Sequence, residues 1–135
     1  MTPPVPVGLL DTSIFIAQEI GRDLDISRLP TEQEVSVVTL AELEAGVLAA
    51  QNAFDRNRRR ATLDRVTRQD PLLIDAAVAS RWADLRTHLA KTNRRIPVND
   101  LWIAATAVAH RIPLVTHDDG FDALDGVAGL EIIRI

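Results

Sequence analysis

The chain has 135 residues, 47% of them hydrophobic and 25% charged, with no cysteine and a formal net charge of −4. That length suits one domain spanning residues 1–135 around one core, and the composition argues against chain-wide disorder. Without cysteine there are no disulfides or thiolate metal sites. No apolar run approaches the ~20 residues of a membrane helix, and the N-terminal residues lack the basic stretch of a secretion signal. The expectation is therefore a cytoplasmic protein with no membrane partner.

Pro3, Pro4 and Pro6 stiffen the lead-in. Val7 to Leu10 is a short apolar run that reads as a buried strand. Thr12 or Ser13 can cap a helix from about Ser13 to Ile20, and Gly21 stops it. Residues 22–30 are polar and suit a short helix or loop. Val35 to Thr39, VSVVT, is β-branched and predicts a second strand. From Leu40 to Asn52 apolar residues recur at helical spacing, and a further helix follows from about Phe54 to Arg68. Asp70-Pro71 breaks it, and Leu72 to Ile74 predicts a third, short strand. Asp75 starts a helix reaching about Thr92. Asn99 caps a helix over Asp100 to His110 that is apolar and rich in alanine, hence buried and closely approached. Pro113 to Thr116 and Leu130 to Ile135 predict the fourth and fifth strands. Short apolar strands separated by helices define an α/β fold: three layers, with a central parallel five-stranded sheet and helices on both faces. Right-handed crossovers then gather the strand C-termini at one edge, where the crevice of such folds lies.

That edge is where the acidic residues fall. Asp11 follows the first strand directly, within an otherwise apolar stretch, PVGLLDTSIFI. Glu42 lies one helical turn past the second strand, Asp100 opens the alanine-rich helix, and Asp118 follows the strand at 113–116. Each has a bland explanation alone. Asp11 suits a helix cap, Thr39-x-x-Glu42 a capping box, Asp100 a helix dipole partner, and Asp118-Asp119-Gly120 a turn. Taken together they gather three or four carboxylates in one crevice, a repulsion that a hard divalent cation resolves. An all-oxygen donor set favours Mg²⁺ or Mn²⁺ over zinc. With such an ion, water can attack a phosphodiester in line.

Residues 56–68, RNRRRATLDRVTR, hold six arginines against one aspartate, so the rest of the chain is strongly acidic. Arg56, Arg58, Arg59 and Arg60 are candidates for contact with nucleic-acid phosphate; a solvated helix face is the plain alternative. His88, His110 and His117 lack any metal-type mutual spacing. Trp82 and Trp102 fall in helical patterns and read as core.

LLDTSIFI, VVTLAELEAGV, VNDLWIAATAVAHRIPLVTHDDGFDAL and a closing GLEIIRI run in an order that resembles the PIN-domain ribonucleases, specifically the VapC-type toxins of bacterial toxin–antitoxin pairs. The likeness spans nearly the whole chain and implies a PIN-like fold and a metal-dependent endoribonuclease using Mg²⁺ or Mn²⁺. It implies Asp11, Glu42, Asp100 and Asp118 as the catalytic quartet, with Asp11, Asp100 and Asp118 as metal ligands and Asp119 as a helper. Ser13 and Thr116 would orient the carboxylates. It also implies a cognate VapB-type antitoxin, a homodimer and a toxin–antitoxin hetero-oligomer. Trp82, Leu85 and Leu89 read first as core, and second as a groove for the antitoxin tail. Two other classes fit less well. A phosphorelay receiver would use Asp75 as phosphoacceptor, but the sole lysine, Lys91, lies in the wrong segment. A silent RNA- or protein-binding module of the same fold would not need so full an acidic set.

Overall fold

The structure, a computed structural model, describes residues 3–135. Four parallel strands form one sheet in the order β2-β1-β3-β4. β1 (Val7–Leu10) lies inside it, pairing with β2 (Glu32–Val35) on one side and β3 (Leu114–Thr116) on the other, and β4 (Ile132–Arg134) pairs with β3. Successive side chains on a strand point to opposite faces. Leu9 and Leu114 therefore enter one core and Leu10 and Val115 the other. Both faces are buried, which is why the inner strands are apolar without alternation.

Helices α1 (Thr12–Glu19), α2 (Val37–Leu48) and α3 (Ala53–Val66) cover the Leu10 face through Ile14, Phe15, Leu43, Val47, Leu63 and Val66. Helices α4 (Ala76–Lys91) and α5 (Val98–His110) cover the Leu9 face. On α5, Ala104, Ala105 and Ala107 are wholly buried, and their small side chains let the helix backbone lie close to the sheet. Trp82 of α4 stacks on Trp102 of α5 with ring centroids 5.1 Å apart. Both are only partly buried at the rim of the core.

Four sequence expectations are corrected. The sheet has four strands rather than five: Leu72 makes a single bridge to Ser36, while Leu73 and Ile74 stay exposed. The second strand runs over Glu32–Val35, not Val35 to Thr39. The Ser36 hydroxyl accepts the Val38 N–H at 3.0 Å and starts α2 there, and an edge strand can show polar residues to water. Thr39 therefore sits inside the first turn, and Thr39-x-x-Glu42 is not a capping box. The last strand is shorter than Leu130 to Ile135 because Gly129, at φ +82°, is still in a turn. Finally, α5 begins at Val98 behind Pro97, not at an Asn99 cap.

Candidate active site

The C-terminal ends of β1 and β3 and the starts of α2 and α5 carry the four carboxylates. Asp11 is the first residue past β1 and caps α1, its Oδ2 accepting the Ser13 N–H at 3.3 Å. The same oxygen accepts the Thr116 hydroxyl at 3.0 Å. Only 2% of Asp11 is exposed, and no cationic side chain pairs with it among the described residues. Burial raises its pKa, the hydrogen bonds from Ser13 and Thr116 oppose the rise, and the charge on Asp118 adds to it.

Proton counting fixes the direction of the hydroxyl chain. Thr116 spends its one proton on Asp11, so Ser13 donates to Thr116 across 3.2 Å. The Ser13 oxygen in turn accepts the His117 N–H at 3.0 Å, and the Thr116 oxygen accepts the Asp118 N–H at 3.2 Å. The Ser13–Thr116 pair thus binds the end of β3 to the start of α1 and aims Asp11. On the other flank, Thr12 donates to Glu42 Oε1 at 2.7 Å. Thr12 then has no proton left, so the buried Thr39 hydroxyl donates to it at 2.9 Å. Thr12 and Thr39 were not singled out from the sequence as orienting groups. In the sequence Thr12 reads only as a cap, and Thr39 only as a strand end and capping-box residue.

Asp118 is exposed and its Oδ1 accepts the Gly120 N–H at 2.9 Å. A Cβ on Gly120 would stand 3.1 Å from that oxygen and 3.7 Å from Asp100 Oδ2. The bare glycine thus keeps a cradle open beside the two carboxylates. Asp100, half-buried in the first turn of α5, has its pKa pushed up to about 7. Burial is the largest cause, followed by the negative charges of Asp11, Asp118 and Glu42. All four carboxylates therefore act within one electrostatic field. Asp119 is exposed in the turn, where its main-chain carbonyl accepts the Asp122 N–H. The ring Nδ1 of His117 donates to the Ile135 main-chain oxygen at 2.7 Å.

Among the described residues no three Asp, Glu or His side chains are drawn into the spacing of a closed metal-ligand cluster. The edge offers four mutually repelling carboxylates, all-oxygen donors, and the unfilled cradle at Gly120. That set suits a hard cation that keeps several waters, such as Mg²⁺ or Mn²⁺.

The arginine strip is only partly free. Arg58 turns inward, with Nε 3.4 Å from Glu19 Oε1 and Nη2 3.3 Å from Asp55 Oδ1. Arg59 donates to the Gly46 carbonyl at 2.7 Å. Arg56 and Arg60 are exposed. Asp75 caps α4 through the Val78 N–H.

This arrangement, a parallel sheet between two helical layers with a ring of carboxylates at its C-terminal edge, is that of the PIN domain. The PIN-domain pattern matches residues 8–127, and the chain belongs to the PIN-domain family. Its relatives narrow the placement to the VapC proteins. Ribonuclease VapC5 of Mycobacterium tuberculosis is 50% identical over 135 residues, the whole of both chains. Ribonuclease VapC4 of the same organism is 45% identical over 129 residues, 95% of this chain and 96% of that one. The crystal structure of VapBC-5 from Mycobacterium tuberculosis, a member of the VapBC family of toxin–antitoxin systems, matches with a TM-score of 0.90 at 49% identity. The match covers 96% of this chain and 99% of that one.

Proposed function

We propose that this chain is a divalent-metal-dependent endoribonuclease and the toxin member of a VapBC-type toxin–antitoxin pair. One observation carries the reading: burial, together with the negative charges of Asp11, Asp118 and Glu42 gathered around it, pushes Asp100 up to about 7. Structural carboxylates gain nothing from such crowding, whereas a site for a divalent cation requires it.

Asp11, Asp100 and Asp118 would hold Mg²⁺ or Mn²⁺. When bound, the ion supplies charge neutralisation at the phosphodiester oxygens and acidifies water. The chain's own residues do the rest. Ser13 and Thr116 keep Asp11 in one rotamer. Thr12, backed by Thr39, occupies Glu42 Oε1, which leaves Oε2 to accept a proton from the attacking water. Attack at phosphorus breaks the bond to the 3′-oxygen, which takes up a proton, giving a 5′-phosphate and a 3′-hydroxyl. Asp119 stands beside the ring as an accessory carboxylate, and the exposed Arg56 and Arg60 are free to meet RNA phosphate.

Residues 1–135 would work as one unit in the cytoplasm. No helix of the described residues is long and apolar enough to cross a membrane. The reading includes a VapB-type antitoxin, a homodimer and a hetero-oligomer of the two proteins. Ile16, Ile20, Leu48 and Phe54, on or beside α1–α3, leave 46% or more of their surface exposed, apolar surface suited to a protein partner. Ile16 and Ile20 line a hollow of about 190 Å³ that also includes Glu42, so a partner seated there would cover the acidic edge. Leu85 and Leu89, 0% and 3% exposed, belong to the core.

The test is incubation of a mixed cellular RNA pool with purified protein, with Mg²⁺ or Mn²⁺ or a chelator, beside Asp100→Asn. Discrete metal-dependent cuts with 5′-phosphate ends, absent from the variant, are expected. Folded, partner-free protein that cuts nothing under any metal condition would instead mark a silent binding module.

A further inference from the structure

We propose that the hollow between the end of α4 and the start of α5 is a subsite for single-stranded RNA, leading the strand to the acidic edge; this rests on the ribonuclease reading above. The hollow measures about 560 Å³. Arg86, Arg94 and Arg95 line it. All three are exposed, and none forms an ion pair with a carboxylate among the described residues. Three unneutralised guanidinium groups around one cavity are unexpected in a chain of net charge −4, unless they meet an anion. The strip on α3 differs: Arg58 and Arg59 are spent on Glu19, Asp55 and the Gly46 carbonyl.

The other wall is apolar. Trp82, Ile96 and Val98 face the cavity, Val98 with 65% of its surface exposed. Trp82 is backed by the stacked Trp102 ring and so is held as a rigid platform. Guanidinium groups beside aromatic and aliphatic surface match a single strand, with phosphates on the cations and bases on the apolar wall. A duplex would hide those base faces, and a free phosphate would leave the wall uncovered.

Position links the hollow to the site. Val98 and Leu101 both line it, and Asp100 lies between them in the first turn of α5. The hollow and the acidic ring therefore meet at the same helix start. A polyanion approaching four carboxylates is repelled; positive charge beside them offsets that repulsion and raises the local substrate concentration.

The probe is a short, mixed-sequence, fluorescein-labelled oligoribonucleotide, bound in chelator so that no cleavage intervenes. Arg94→Glu/Arg95→Glu is compared with Arg56→Glu/Arg60→Glu on the opposite side of the sheet. The α4–α5 variant is expected to bind about tenfold more weakly, with the log–log salt slope flatter by about 1.4, as for two lost phosphate contacts to a single strand. Its kcat at saturating RNA and its thermal midpoint should stay at wild-type values. In a Trp102→Phe background Trp82 is the only tryptophan, and RNA should quench its fluorescence. That quenching should vanish in the Arg94→Glu/Arg95→Glu variant. Unchanged affinity and slope in the Arg94→Glu/Arg95→Glu variant, where the wild-type protein cuts RNA, would overturn the subsite alone. So would an intact RNA affinity accompanied by loss of the homodimer or of antitoxin binding, which would assign the hollow to a protein partner. A wild-type protein that neither binds nor cuts RNA would overturn the ribonuclease reading as well.

Discussion

Asp100 concentrates the chemistry of the acidic edge in one side chain. Its carboxylate is held back from ionising by burial and by three neighbouring charges. Asp100→Asn should abolish cleavage while raising the thermal midpoint of the metal-free protein near pH 8, because one source of repulsion is gone. Normal cleavage by that variant in a gel assay would remove Asp100 from the ligand set. Gly120→Ala tests the cradle. Its Cβ would press on Asp118 Oδ1 at 3.1 Å, so Mn²⁺ affinity by calorimetry should fall about tenfold, as for other changes behind a metal ligand. Unchanged affinity would mean the carboxylates shift at no cost. Thr39→Val removes the buried donor behind Thr12. It should cost about 1 kcal/mol of stability and lower kcat more than it raises KM, and Thr39→Ser should restore both. Asp11, Asp100 and Asp118 are legible in the sequence because each stands at a strand end or helix start, and Glu42 because it lies in the second turn of the helix that follows β2, positions that topology brings together. The Thr12–Thr39 pair is not, because a hydroxyl's partner 27 residues away leaves no trace in local pattern.

Among the elements, the inner strands and the long helices were readable and the sheet edges were not. Val7 to Leu10 and Leu114 to Thr116 are buried on both faces, so their apolar runs are unambiguous. β2 begins Glu-Gln-Glu, and its first two residues are exposed at the edge, so its composition carries no strand signal. The adjoining Val-Ser-Val-Val-Thr run has strand composition but is divided at Ser36, which is wholly buried and caps α2. Ser36→Ala should therefore lower stability by about 1 kcal/mol, at the level usual for a lost cap. Chemical denaturation with the slope unchanged is the measurement. A loss near zero would mean that the Leu72 bridge, rather than the hydroxyl, sets where α2 begins.

At the scale of the molecule, the crowded carboxylates tie stability to pH and to cations. In the unfolded chain Asp100 returns to its ordinary value of 3.8, against about 7 when folded. Between those values the folded state binds the extra proton, so stability falls as pH rises through that window and levels off above it. Asp11 is raised as well, and so is Glu34, through burial and its neighbour Glu32; both contribute with the same sign. The metal-free protein should thus melt at a lower temperature at pH 8 than at pH 5. Added Mg²⁺ should raise the midpoint at pH 8 more than at pH 5, because it binds the ionised folded form. Scanning calorimetry at the two pH values checks both, and a midpoint that climbs from pH 5 to pH 8 without metal would contradict the crowding.

The central place of β1 in the sheet has a further consequence, which concerns synthesis. Asp11 is translated well ahead of the hydroxyl that aims it, which belongs to Thr116, 105 residues later. A ribosome therefore finishes most of this chain before β3 can seat against β1. Until then Asp11 lacks the hydroxyl that aims it, and Asp118 has not joined the acidic edge.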